Sequence, residues 1–210
     1  MDSDEAVALL GDPVRRELYR FVVGHGRAVG RAEAAEATGV ARGLAAFHLD
    51  KLVDAGLLTA EFKRLGERTG PGSGRPAKVY RRSGAEHLVS LPPRDYRTVA
   101  LILAEVVDLL GGDELAEEAA RRAGRKLAAG ASGPVRETLA RQGYEPYEED
   151  GVLRLRNCPF HVLAGEHPLL VCSMNLSLCQ GLLDGVEGVT ARLDPRPGEC
   201  CVVISKNNRN

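Results

Sequence analysis

Gly39 lies between two runs of helix-forming residues, and this break constrains the fold more than any other feature of the chain. The run before it, from Arg31 to Thr38, is rich in alanine. The run after it, from Ala41 to Ala55, has apolar residues at helical spacing. A glycine at such a point ends a helix and turns the chain sharply. The sequence therefore predicts two short helices joined by a tight turn, which is a helix-turn-helix motif.

A further helix is predicted upstream of this pair. Asp12 and Pro13 provide an N-cap and a first-turn proline, the one place where a helix tolerates proline well. Apolar residues at helical spacing continue to Val22, and Gly24 and Gly26 end the pattern. Three helices therefore precede the first predicted strand.

The second helix of the pair is expected to bury one face and expose the other. Ala45, Leu49 and Leu52 recur on one side, which must pack on the upstream helix. Small residues on the opposite side would let the backbone approach a DNA groove closely, and Arg42 could reach a base edge or a phosphate. That exposed side supplies the first DNA-binding candidates, which are Arg42, Gly43, Ala46, Phe47 and Lys51.

A glycine- and arginine-rich loop follows this helix. Residues 57–64 and 77–82 have the composition of two short strands, and the sequence between them is LGERTGPGSGRP. A flexible backbone with positive charge is what a DNA-binding wing requires. The basic residues that we assign to DNA in this hairpin are Arg64, Arg68, Arg75 and Lys78. A hairpin loop with incidental charge is the alternative interpretation.

Charge is distributed unevenly along the chain. The formal net charge is -1, whereas residues 42–82 contain nine basic and four acidic residues. A local basic excess within a nearly neutral protein favours attraction to phosphate without making the whole surface sticky. A solvated charged face would have the same composition, so charge alone does not decide between the two.

These features together resemble a known family. The sequence TGVARGLAAFHLDKLVDAGLL, followed by GSGRPAKVYR, resembles the winged helix-turn-helix of bacterial ArsR-type regulators over residues 5–85. The resemblance implies a winged helix-turn-helix DNA-binding domain over residues 1–90. It also implies that a homodimer binds double-stranded DNA, with two subunits reading a palindromic operator.

The LPPRDY segment predicts a linker, because adjacent prolines cannot continue a helix. A second domain is therefore expected over residues 95–210, as a sensor and dimerisation domain. Its predicted elements are helices over 95–110, 114–129 and 135–142, a hairpin turned at Asp150-Gly151, a helix from His161 to Leu183, and a last hairpin ending in the strand CCVVIS. The fold class predicted for the whole chain is α+β. The broad apolar face of the helix over 95–110 suits either the domain core or a partner helix.

The five cysteines all lie between Cys158 and Cys201. A secreted disulfide scaffold is not expected, because three quarters of the chain would have no cross-link. The N-terminus MDSDEAVALL is acidic, and no apolar run is long enough to cross a bilayer. We therefore expect a cytoplasmic protein without a membrane segment, in which a cysteine cluster most often binds metal or does redox chemistry.

Spacing limits which cysteines can act together. Cys172 and Cys179 are two helical turns apart and cannot easily bind one metal, and Cys179, flanked by leucines, is expected to be a core residue. Cys200 and Cys201 are expected on a strand, so only one of them should face a shared site unless a bulge intervenes. His161 follows Cys158 by three residues and could complete a Cys-and-His set. The metal-binding candidates are Cys158, His161, Cys172, Cys200 and Cys201.

The motif NCPFH, the helical Cys172 and the terminal CC pair resemble the C-terminal sensor domain of SufR-type regulators. The resemblance implies an iron-sulfur cluster held by Cys158, Cys172 and one of Cys200 or Cys201, and it implies that the cluster governs DNA binding. The spacing departs from a CxxC ferredoxin pattern and leaves the fourth ligand undefined. Zinc, or no metal, therefore stays open as an alternative.

The leading hypothesis is a DNA-binding transcriptional regulator controlled by a cluster or metal at the C-terminal cysteines. One alternative is a zinc-stabilised or small-molecule-sensing regulator without a redox cluster. Another is a thiol- or metal-dependent enzyme with a DNA-binding appendage. The chain contains no nucleophile elbow, phosphate-binding glycine loop or HExxH motif, so we do not expect an enzyme.

Overall fold

A computed structural model describes residues 3–63, 76–129 and 133–206. The chain divides into two compact units, Met1–Arg94 and Asp95–Asn210. Each unit combines helices with an antiparallel sheet. The fold class is therefore α+β, which confirms the class expected from the sequence. Among the described helices, none combines the length and the apolar character needed to span a bilayer.

The first unit begins with helices and ends with a hairpin. Its helices are α1 (Ser3–Ala8), α2 (Pro13–His25), α3 (Arg31–Thr38) and α4 (Arg42–Asp54), with a 3-10 turn over Leu9–Gly11. Its strands are β1 (Val29–Gly30), β2 (Leu58–Lys63) and β3 (Ala77–Arg82), in the antiparallel order β1-β3-β2. The sequence did not predict α1 or β1. Most of the predicted wing, residues 64–75, lies outside the described residues.

Local chemistry explains where these helices begin and end. The Asp12 carboxylate accepts a hydrogen bond of 2.9 Å from the Arg15 backbone N–H and caps α2, with Pro13 in the first turn. Gly39 ends α3 with a φ of 68°, a left-handed conformation that favours glycine. The side chains that hold the unit together come from α2, α4 and β3, and the largest fully buried ones include Leu18, Val22, Leu49, Leu52 and Tyr80.

The second unit places helices against a four-stranded sheet. Its helices are α5 (Tyr96–Leu110), α6 (Asp113–Ala129), α7 (Val135–Arg141), α8 (His161–Glu166) and α9 (Pro168–Leu183). Its strands are β4 (Pro146–Glu149), β5 (Val152–Leu155), β6 (Val189–Leu193) and β7 (Val202–Lys206), in the antiparallel order β4-β5-β7-β6. Asp150 and Gly151 both have positive φ in the turn between β4 and β5, as a two-residue hairpin requires.

The prediction of one continuous helix from His161 to Leu183 was wrong. The segment forms α8 and α9, which are separated at His167. Pro168 lacks an N–H group and keeps the preceding residue out of the helical region, so His167 adopts φ -126° and ψ 64°. The break also serves to attach α5, because His167 Nδ1 lies 2.6 Å from an Asp108 carboxylate oxygen.

Helices α6 and α9 cross at two glycines. A Cβ on Gly124 would lie 2.2 Å from the Leu178 carbonyl oxygen, and a Cβ on Gly181 would lie 2.2 Å from the Arg121 carbonyl oxygen. The two backbones therefore touch where these glycines meet. Near the crossing, Arg121 and Arg125 both form ion pairs with Asp184 at the end of α9, at 3.0 and 3.1 Å.

Candidate functional site

The outward face of α4 carries the residues predicted to contact DNA. Arg42, Gly43, Phe47 and Lys51 are exposed, and Ala46 is half-buried. They face outward because the residues on the other side of α4, which include Ala45, Leu49 and Leu52, are completely buried in the core of the first unit. Helix α4 is the second helix of the helix-turn-helix and is called the recognition helix below.

Lys78 and Tyr80 on β3 bind the recognition helix through Asp50. The Lys78 ammonium lies 2.7 Å from the Asp50 carboxylate, and the Tyr80 hydroxyl donates to the same oxygen at 2.8 Å. Partial burial would raise the pKa of Asp50, but the bonds from Lys78 and Tyr80 outweigh it and hold that pKa below its usual value. Lys78, a DNA-binding candidate, is thus engaged in an ion pair within its own unit.

His48 is a second polar anchor of the recognition helix, and the sequence reasoning missed it. Its ring is buried, and the Arg15 guanidinium on α2 donates through Nε to His48 Nδ1 at 3.3 Å. Arg15 also donates to the Leu9 carbonyl at 3.2 Å. The sequence could have indicated this role, because His48 directly precedes Leu49 and lies on the apolar side of the helix. Arg64, Arg68 and Arg75, the other hairpin candidates, lie outside the described residues.

This arrangement of three helices and a short sheet, with a recognition helix that exposes Arg42 and Lys51 to solvent, defines the first unit as a helix-turn-helix protein domain of the DNA-binding class. A comparison with known families agrees, because the model of the helix-turn-helix domain family matches residues 10–61. The match indicates a DNA-binding transcription regulator. No curated protein and no solved structure matches the chain.

In the second unit, four cysteine thiols from three segments come together. Cys158 follows β5, Cys172 lies in the second turn of α9, and Cys200 and Cys201 precede β7. Cys200 interacts with both Cys158 and Cys201, and Cys201 also interacts with Cys172. The sulfurs therefore form a connected row in the order Cys158, Cys200, Cys201, Cys172, which we call the thiol row.

Backbone hydrogen bonds hold the Cys200-Cys201 pair in place. The Cys200 N–H donates to the Leu155 carbonyl on β5 at 2.9 Å, and the Cys201 carbonyl accepts from the Asp194 N–H at 2.8 Å. The prediction that this pair lies on the last strand was wrong, because β7 begins at Val202. The pair is not extended strand, so strand alternation does not separate its side chains, and both thiols enter the row.

Asn175 and Tyr144 support the thiol row from the core, and sequence reasoning identified neither. The buried Tyr144 hydroxyl donates to Asn175 Oδ1. This bond turns the amide nitrogen of Asn175 toward sulfur, at 3.2 Å from Cys200 Sγ and 3.9 Å from Cys158 Sγ. Asn175 follows Cys172 by three residues, which brings both side chains to one side of α9. That spacing was the available signal.

The contacts within the thiol row shift the pKa values of its thiols in different directions. Hydrogen bonds from Cys158 and then Cys201 lower the pKa of Cys200, and the Asn175 amide adds to the effect. The same bond to Cys200, together with burial, raises the pKa of Cys158. Cys200 is therefore the acceptor at the centre of the row, where negative charge is best stabilised.

Cys179 and His161 do not belong to the thiol row. Cys179 is completely buried in the core, as expected, and burial raises its pKa to about 12. Its thiol donates to the Tyr144 hydroxyl at 3.7 Å. The side chain of His161 is exposed, and its backbone N–H donates to the Cys158 carbonyl at 3.1 Å.

No three His, Cys, Asp or Glu side chains in the described parts of the chain are arranged around a position for one metal ion. The thiol row is instead a set of four sulfur donors side by side. A cavity of about 170 Å³ also occurs in the second unit, lined by residues that include Ala128, Val135 and Leu182. It contains no cysteine, and it is smaller than the roughly 300 Å³ at which sites for small organic ligands begin.

Proposed function

We propose that the chain is a homodimeric transcription regulator whose binding to a palindromic operator is controlled by an iron-sulfur cluster on the thiol row. The observation that carries the DNA-binding part is the exposed face of the recognition helix, with Arg42 and Lys51, within a matched helix-turn-helix domain. The observation that carries the control part is the convergence of four thiols from separate segments.

The DNA-binding part follows from the shape and charge of the first unit. Arg42 and Lys51 are both exposed on α4 and are nine residues apart, so they lie about 14 Å apart along the helix axis and about half a turn apart around it. They therefore border the exposed face on opposite sides, from which cations can reach the phosphates on the two edges of a major groove. Arg64, Arg68 and Arg75 would extend the contact along the hairpin, as a wing does, whereas Lys78 pairs with Asp50 and would hold the hairpin on the recognition helix.

Helix α5 supports the homodimer, because its most apolar side is exposed. None of its residues is buried, and seven large apolar side chains, which we call the apolar stripe, face outward. They are Tyr96, Val99, Ile102, Leu103, Val106, Leu109 and Leu110. Members of the stripe recur every three or four residues, the spacing with which one helix packs on another.

A second copy of this chain is the partner that suits the stripe. In an antiparallel pair centred between Ile102 and Leu103, Val99 faces the partner's Val106, and Tyr96 faces the partner's Leu109. Such a two-fold arrangement matches a palindromic operator.

The donor set of the thiol row fits an iron-sulfur cluster. Clusters are usually held by four cysteine thiolates, and Cys158, Cys172, Cys200 and Cys201 provide four such groups. The Asn175 N–H groups point at two of the sulfurs, a hydrogen bond that favours thiolate over thiol. A mixed Cys-and-His zinc site is less well supported, because the His161 side chain is exposed.

When bound, the cluster would supply a redox change to which DNA binding responds. The protein's own part is to bring the four thiols together and to exclude water from Cys200, which is buried. Asn175, fixed by Tyr144, orients its amide toward the sulfurs. Movement of α9 or of the segment before β7 would then reach the rest of the unit through the α6–α9 crossing.

The proposal is tested on the full chain purified without oxygen. Iron, sulfide and visible absorption should be present in the wild type and in the Cys179→Ser control, and they should be lost in Cys158→Ser and Cys200→Ser. Zinc alone, or iron that survives both substitutions, would contradict the cluster. Selection of duplexes from a random DNA pool tests the other part, and failure to enrich any duplex would contradict DNA binding.

A further inference from the structure

Phe47 is one of two large apolar side chains that the recognition helix exposes to solvent. It is 54% exposed, and Leu44, one turn earlier on the recognition helix, is 44% exposed. The apolar residues on the other side of the helix, such as Leu49 and Leu52, are completely buried. Phe47 and Leu44 therefore contribute little to the core, and water covers them when the domain is alone.

The two flanking cations define where Phe47 would lie on DNA. Arg42 precedes it by five residues and Lys51 follows it by four, all on the exposed face. Phosphates line the edges of the major groove and base edges form its floor. If the cations contact the phosphates on the two edges, the ring of Phe47 is directed at the floor between them.

Gly43 adds an independent observation on the same face. A Cβ at this position would meet nothing within 4 Å, so packing within the unit does not require glycine there. Its φ is not in the left-handed range either. Gly43 is the second residue of α4, so the full cost of a glycine in a helix interior does not apply to it. The missing side chain lets an external surface approach the start of the recognition helix closely.

The ring of Phe47 also packs against a neighbouring side chain of the same helix. Its ring contacts the ring of His48 edge-on, with a centroid separation of 5.4 Å. His48 is itself buried and bonded to Arg15. A side chain that rests on a fixed neighbour has less conformational freedom to lose when it binds.

We propose that Phe47, with Leu44 beside it, recognises the C5-methyl group of a pyrimidine in the major groove. This inference rests on the proposed DNA-binding function. The thymine methyl is the apolar group that unmodified base pairs present in that groove, and phenylalanine is among the side chains that contact it. The recognition helix therefore selects half-sites with thymine, and 5-methylcytosine presents the same group.

The test removes single methyl groups from DNA. A duplex enriched by the full-length protein is resynthesised with deoxyuridine in place of thymidine, one position at a time, which preserves base pairing. At one position in each half-site we expect the wild-type Kd to rise about fourfold, the value for one buried methyl-sized group. Cytosine at that position should weaken binding, and 5-methylcytosine should bind better than cytosine.

Two variants identify the side chain that detects the methyl group. Phe47→Ala should bind more weakly overall and should no longer distinguish thymine from uracil. Phe62→Ala is the matched control, because Phe62 is 72% exposed in the same unit but lies on β2, and it should retain the uracil effect. Circular dichroism verifies that both variants fold.

The outcomes separate this inference from the function on which it rests. If no duplex is enriched, the DNA-binding proposal fails. If a duplex binds but no uracil substitution changes the Kd, or if Phe47→Ala keeps the wild-type uracil effect, the recognition of a methyl group by Phe47 is wrong.

Discussion

The hydroxyl of Tyr80 donates a 2.8 Å hydrogen bond to the carboxylate of Asp50, and this bond attaches the recognition helix to the central strand of the sheet. Tyr80 is completely buried, whereas the Asp50 side chain is 45% exposed. Lys78 binds the same carboxylate oxygen. Asp50 therefore makes two polar contacts between α4 and the hairpin, in addition to the apolar packing of Leu49 and Leu52.

Tyr80→Phe should lower the free energy of unfolding by about 1 kcal/mol. A bond to a charged acceptor contributes about 1.5–3 kcal/mol when buried, and solvent screening at Asp50 reduces that. Urea unfolding measures the change, and Tyr96→Phe, which removes an exposed hydroxyl, is the control and should have no effect. A loss above roughly 3 kcal/mol would indicate a packing defect instead of the missing bond.

The same pair predicts a pH dependence. Because the pKa of Asp50 is lowered in the folded state, its ionised form contributes stability above the unfolded value of about 3.9. That contribution is lost as the pH falls through the lowered folded pKa. The stability difference between the wild type and Tyr80→Phe should therefore be constant near neutral pH and shrink under acidic conditions. A difference that grows on acidification would be inconsistent with an ionised Asp50.

Lys51→Ala should weaken binding to a selected duplex and reduce the salt dependence. Each phosphate contact contributes about one unit to the slope of log K against log salt, so the slope should fall in magnitude by about 1. Fluorescence anisotropy at several salt concentrations gives the slope. Lys126→Ala, which removes an exposed lysine of α6 in the other unit, is the control. Equal slopes for the two variants would show that Lys51 does not contact DNA.

Gly124→Ala should destabilise the second unit by about 3 kcal/mol, the upper part of the range for overpacking. The added methyl would lie 2.2 Å from a backbone carbonyl oxygen, which cannot rotate away as a side chain can. Gly165→Ala in α8 is the control, since a Cβ there meets nothing within 4 Å, and it should be neutral or stabilising by up to about 1 kcal/mol. Similar urea midpoints for the two variants would show that the crossing tolerates a side chain.

Leu103→Glu should convert a dimer into a monomer, because it places a charge near the middle of the apolar stripe. Sedimentation velocity measures the mass in solution, and retained helical content shows that the variant folds. Leu193→Glu changes a similarly exposed leucine on β6 and should leave the mass unchanged. A dimer that survives Leu103→Glu would mean that α5 is covered by something other than a second copy.

The helix-turn-helix could be predicted from the sequence because its signals are local. Asp12, Pro13 and Gly39 act within one or two turns of their own positions, and the apolar side of α4 repeats at the helical period. Strand β1 joins the sheet by pairing with β3, and its two residues are too few to show a periodic pattern in the sequence. Helix α1 is only six residues long, and no predicted pattern marked it.

The thiol row shows the limit of spacing arguments. Each cysteine could be assigned to an element, but the contact of Cys200 with Cys158 depends on how the chain leaves β5 and enters β7, about 40 residues apart in sequence. Asn175 resembles an ordinary polar residue of a helix until Tyr144, from a distant segment, fixes its amide. Contacts of this kind come from tertiary packing and leave no mark in a local pattern.

The interruption between α8 and α9 connects the helix that carries Cys172 to α5 within the second unit. His167, at the break, holds Asp108 of α5, and five residues later the same chain reaches Cys172. Nearby, Glu166 pairs with Arg97 at the other end of α5. In the proposed dimer, a rotation at the start of α9 that accompanies a change at the sulfurs would therefore pull on both ends of α5, the helix that carries the apolar stripe.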